Sequence, residues 1–172
     1  MQSLTSKQKS RFRHIGYGLL LLIFFALETT QGLFPRFFGA PAMLLALALV
    51  CIAMFEREIY GAIIGTIVGI LLDITSLNLP YFNALMFMIL GALVGIITHY
   101  LMRNMLSTAF ILAFGAMLLY NFVHWLFFFA FAGIDRAGFY FLRYNLVGIF
   151  YSLVFLIPIY FLIRRFALSK SK

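Results

Sequence analysis

Residues 61–74 read GAIIGTIVGILLDI, with Gly61, Gly65 and Gly69 on a four-residue beat and Asp73 on the next one. A four-residue beat keeps these positions on one side of a helix, drifting by about 40° per step. The other positions of the stretch are almost all aliphatic. A helix of this composition is expected where surrounding lipid is as apolar as any neighbour, and where close backbone approach through small residues holds helices together. Gly91 and Gly95 in the next apolar run supply a matching pair, so the two segments are expected to pack along these glycines. Asp73 is the anomaly: a charge at the centre of a membrane helix costs roughly 2.5–3.5 kcal/mol on the mildest scale.

The rest of the chain repeats the theme. Of 172 residues, 65% are hydrophobic and only 10% are charged, against about 45–50% and about 25% in an average soluble domain. Runs such as LLLLIFFAL and MLLALALVCIAMF are unbroken rather than alternating, which argues for helices over an outer-membrane barrel. Six spans are expected, at 15–34, 38–55, 59–77, 82–102, 107–131 and 144–163, each close to the ~20 residues that cross a bilayer. Only Glu56-Arg57-Glu58 separates the second from the third, giving a tight hairpin; the alternative makes one of the two re-entrant. The fold class is therefore an all-α integral membrane protein, a transmembrane domain over 15–163 between basic tails at 1–14 and 164–172. The first span reads as an uncleaved signal anchor, since no small-residue cleavage site follows it.

The net charge of +8 does not point to nucleic acid. Lys7, Lys9, Arg11, Arg13, Arg57, Arg103, Arg164, Arg165, Lys170 and Lys172 fall on one side of the six-span topology, and only Arg36, Arg136 and Arg143 on the other. The positive-inside rule makes the basic side, with both termini, cytoplasmic. The lipid bilayer is the implied partner, and anionic headgroups would meet the basic ends. Tyrosines 17, 60, 81, 100, 140, 144 and 160 fall near span ends, as aromatic belts do. The outer loops, QGLFPRFFGAP and AGIDRAGFYFLR, are expected to lie in the interface.

With this topology Glu28, Asp73, Asn83, Asn121, His124 and Asn145 share the outer half of the membrane, whereas the inner half holds little besides His99 and Arg103. Two readings stay open for the outer set: an outward-facing polar cavity, or hydrogen bonds between helices. Asp73 has a third, as a helix-end residue meeting headgroups or water. His99 and His124 lack metal-ligand spacing, so no metal is expected. No nucleophile–base arrangement appears, no cofactor motif is present, and GxxxG without a following Lys-Ser/Thr is not a phosphate loop. No catalytic residue is assigned. Cys51, the single cysteine, reads as a packing residue, and Pro158 as a tolerated kink.

The segments EIYGAIIGTIVGILLDI (58–74) and LPYFNALMFMILGALVG (79–95) resemble the core of the rod shape-determining protein MreD family. That family shows a glycine-spaced helix ending in a leucine-rich stretch with Asp, a brief loop, and an Asn-Ala-Leu-like start to the next span. Here Ile70 stands where leucine is commoner, and the loop carries LNLP rather than a glycine turn. The resemblance implies a bacterial inner-membrane protein of the elongation machinery, with a fold similar to the six-helix substrate-binding subunits of energy-coupling-factor transporters. It also implies partners: a single-span MreC-like protein, the MreB filament, and a wall synthase pair (a SEDS glycosyltransferase with a class B penicillin-binding protein). It supplies no catalytic residue and no cofactor. The alternative is a substrate-binding subunit of an energy-coupling-factor-type vitamin transporter, resting on the outer polar set and the six-span size. Such a subunit would need a separate energising module.

Overall fold

The structure, a computed structural model, describes residues 2–30, 42–75, 81–102, 104–130, 138 and 145–168, with side chains from His14 onward save those of 129, 130 and 168. These residues form six α-helices and no strand: α1 (Gln2–Thr29), α2 (Leu44–Phe55), α3 (Glu58–Thr75), α4 (Phe82–Tyr100), α5 (Leu106–Trp125) and α6 (Val147–Leu168). A π-helical turn, Leu126–Ala130, prolongs α5. Four segments are long and apolar enough to cross a membrane: Glu58–Thr75, Phe82–Tyr100, Leu106–Phe128 and Val147–Ala167. The protein is, on that ground, a helical multi-pass membrane protein.

The helices depart from the expected spans mainly near the start of the chain. In place of a first span over 15–34, α1 begins at Gln2 inside the basic tail and stops at Thr29. In place of a second span from residue 38, α2 begins at Leu44, after Ala42 and Met43 in non-helical backbone. At 12 residues it is about 18 Å long, well short of the ~30 Å hydrocarbon core. Amides at its start bond to side chains of other helices rather than to a further turn. Most of both outer loops, together with Arg36, Arg103, Arg136, Arg143, Tyr140, Tyr144, Lys170 and Lys172, lies outside the described residues.

Short as it is, α2 is the centre of the molecule. Every residue from Leu44 to Met54 is buried, and α2 touches all five other helices. A helix that is apolar all round has no face to offer water, so it belongs inside. Ala46, Ala48, Cys51 and Ala53 keep its girth small enough for neighbours on every side. Cys51 is fully enclosed and acts as a small packing group.

The most intimate pair is α3 with α4. A β-carbon on Gly61 would collide with the Gly91 carbonyl, and one on Gly91 with the Gly61 carbonyl. One on Gly65 would meet the Phe87 carbonyl, and one on Gly69 the Ala84 backbone. At Gly95 it would stand 2.7 Å from Glu58 Cα. The two antiparallel helices therefore touch main chain to main chain, rung after rung. The opposite face of α3 exposes Ile59, Ile63, Ile67, Ile70 and Ile74. Glycine inward and isoleucine outward inverts the pattern of a water-soluble helix, and suits a lipid surround.

Candidate functional site

Asp73 is the next rung of the same ladder. Beyond Gly69 the partner helix ends, and the carboxylate meets its first turn: Asn83 N–H donates to Asp73 Oδ1 at 3.1 Å and Ala84 N–H to Oδ2 at 3.0 Å. The first amides of any helix lack intrahelical acceptors, and in hydrocarbon each one left bare costs several kcal/mol. Tyr81, at the N-cap position of α4, supplies no side-chain acceptor and sits in left-handed backbone with φ 66°. Asp73 does the capping from the end of the preceding helix.

Glu28 repeats the arrangement one hairpin earlier. It lies in the last turn of α1, and its Oε2 accepts from Leu45 N–H of α2 at 3.0 Å. Met43 N–H donates to Ser152 Oγ of α6 at 2.9 Å, and that hydroxyl donates onward to the Gly148 carbonyl at 2.7 Å. Met43 itself offers no side-chain cap. Both carboxylates thus sit near the negative end of their own helix and face the positive end of the next, where an anion is favoured.

Tyr120 of α5 belongs to the same end, and its hydroxyl donates to Asn83 Oδ1 at 2.8 Å. Asn121 Nδ2 donates to the Met117 carbonyl at 2.9 Å and touches Met43 Sδ at 3.5 Å. The His124 ring lies among Phe128, Tyr120 and Phe82, with centroids 4.5, 5.9 and 6.0 Å away. Glu28, Asp73, Asn83, Asn121 and His124 therefore gather at one end of the bundle. Asn145, half-buried just before α6, is not joined to them by a hydrogen bond among the described residues. What this group does chemically is seal two helix starts. No set of three or more His, Cys, Asp or Glu that could hold a metal occurs among the described residues.

The opposite end is built differently, and little in the chain announces it. There a cavity of about 440 Å³ opens between the α2–α3 turn and the end of α4, lined by Glu56, Arg57, Tyr60, Thr98 and Asn104 among others. Thr98 is 6% exposed, and its hydroxyl has no partner among the described residues. Glu58 Oε2 and His14 Nε2 are likewise enclosed and unpartnered among these residues, and the His14 ring stacks on Tyr60 at 5.0 Å. Polar groups therefore collect at this end of the bundle as well. Glu56-Arg57-Glu58 reads in the sequence as a mere break, yet it supplies part of a cavity wall. A threonine one turn beyond a packing glycine, as Thr98 follows Gly95, is the one signal available.

No family model, no curated protein and no solved structure matches the chain.

Proposed function

We propose that this protein is a non-enzymatic membrane component of a bacterial elongation complex, regulating peptidoglycan synthesis and rod shape by binding an MreC-like single-span protein. On this reading it crosses the inner membrane six times with both termini cytoplasmic. The MreB filament and the SEDS–class B penicillin-binding protein pair belong to the same assembly. One observation carries the proposal: α3 and α4, which take in most of the segments that resemble MreD, form the tightest helix pair among the described residues, closed by Asp73. A rigid hairpin of this kind is suited to presenting a fixed lipid-facing surface to another helix.

The transporter reading, a vitamin-binding subunit awaiting an energising module, leans on an open polar pocket at the Glu28–Asp73 end. The carboxylates there already accept from the protein's own helix starts, which favours the scaffold. The test is affinity purification from native membranes in mild detergent, followed by mass spectrometry. Recovery of a single-span MreC-like protein with wall synthases is expected. Recovery of paired ATPases with a coupling membrane subunit would overturn the proposal in favour of the transporter.

A further inference from the structure

At the Arg57 end of the bundle, α1 alone among the described helices runs on past its neighbours. Two contacts fix the level at which the others stop. A β-carbon on Gly16 would stand 3.5 Å from the Phe166 ring, close to where α6 ends at Leu168. The His14 ring stacks on Tyr60 at 5.0 Å, in the first turn of α3. From that level α1 continues through Arg13 back to Gln2, about 18 Å of further helix at 1.5 Å per residue. Arg164 and Arg165, exposed at the end of α6, already supply cations where headgroups are met.

The composition of this extension does not suit a helix lying on the membrane. Leu4 and Phe12 are the only apolar residues of 2–13, whereas an interfacial helix buries a whole apolar face. The headgroup layer adds only roughly 5–8 Å to each side of the hydrocarbon core, so most of the extension lies beyond it. At 100° per residue, Lys7 and Arg11 fall on one side of the helix and Lys9 and Arg13 on the opposite side. Like charges one turn apart weaken a helix, and the first acidic residue of the chain is Glu28, at the far end of α1. The anions that relieve both pairs therefore come from another molecule.

We propose that the 2–13 extension of α1 docks into a cleft with acidic walls on a cytoplasmic protein. A flat anionic surface, such as a lipid leaflet, meets one side of a helix and leaves the other pair of cations in mutual repulsion. A cleft meets both sides at once, and its complementary charge fixes the register of the helix along it. Such a cleft presents Asp or Glu on two facing walls, about 10–12 Å apart to admit a helix with its side chains. Exposed ion pairs of this kind are individually weak and screened by salt, so the contact is reversible. The inference rests on the cytoplasmic placement of the termini in the reading above, and not on which complex the protein joins.

The experiment is photo-crosslinking in intact cells, with benzoylphenylalanine replacing Leu4, on the Lys7 side of the full-length protein's first helix, or Ser6, on the Lys9 side. Both positions are expected to join the same protein, each at a segment rich in Asp and Glu. The double variant Lys7→Gln with Arg11→Gln should lower the adduct roughly fivefold, as two exposed ion pairs are lost. Lys9→Gln with Arg13→Gln should do the same, and Lys7→Arg with Lys9→Arg should leave it unchanged, all compared at equal abundance in the membrane. Adducts to lipid alone, no adduct, or a protein adduct sensitive to only one of the two pairs would overturn the cleft. A Ser3→Cys variant separates that failure from failure of the underlying topology. An impermeant maleimide is expected to label it only in opened cells; labelling in intact cells would place the terminus outside and overturn both readings together.

Discussion

The two ends of the bundle use their polar groups in opposite ways. At the Glu28–Asp73 end, carboxylates from α1 and α3 accept the opening amides of α2 and α4, Ser152 takes another, and Tyr120 reaches Asn83. At the Arg57 end, Thr98, Glu58 and His14 each keep a buried polar atom without a partner among the described residues, beside an open cavity. Ionisable residues in a membrane helix are usually read as functional. Here the carboxylates near the helix ends serve the architecture, and the open cavity lies where the sequence is least conspicuous.

That contrast can be broken by mutation, and the largest effect should come from the ladder joining the two ends. Gly65→Leu drives a side chain into the Phe87 backbone, where no rotamer can relieve the clash. The expected loss is about 3 kcal/mol or more, read as a collapse of the thermal midpoint in detergent; a shift of a degree or two would mean that α3 and α4 are looser than described. Next come the caps. Asp73→Leu and Glu28→Leu strand opening amides in an apolar setting, at about 1–3 kcal/mol for each amide. With two amides on Asp73 and one on Glu28, Asp73→Leu should cost the more of the two, and Asp73→Asn should be milder than Asp73→Leu because an amide oxygen still accepts. Denaturant titration of reconstituted protein would measure them, and an Asp73→Leu variant as stable as wild type would end the capping account.

The smallest effects sharpen the comparison most. Ser152→Ala removes an acceptor in use and should cost about 1 kcal/mol. Thr98→Val removes a hydroxyl that bonds to nothing among the described residues and should cost nothing measurable, or raise the midpoint slightly. Should the two rank in the other order, the open and sealed ends have been assigned the wrong way round.

Much of this architecture could be read in the chain. The glycine beat put α3 against α4 because main-chain contact demands a missing side chain, and such a demand leaves a periodic trace. That Glu28, Asp73, Asn83, Asn121 and His124 belong to one end of the bundle was also legible from their places within the apolar runs. The length of α2 was not, since Ala42-Met43 is as apolar as the helix after it, and hydropathy cannot tell helix from extended chain. Hydrogen bonds between helices were one open reading of the carboxylates, but which amides they cap was not legible: a cap from the preceding helix has no fixed spacing from the amides it satisfies. The Arg57-end cavity was least visible, because Thr98 resembles any small residue in an apolar run until the absence of its partner is seen.

The shortness of α2 has a consequence for how the protein is made. A segment of 12 residues is a weak candidate for independent entry into a bilayer, so α2 depends on its neighbours to bring it in. Glu28, already synthesised, can meet its first turn at once. Ser152 cannot, since it belongs to α6, made more than a hundred residues later. The central helix is thus started by α1 and finished by α6, and a nascent chain arrested before α6 carries an incomplete centre. Quality control in the membrane would have a clear mark to read: Met43's amide, bare until α6 is made.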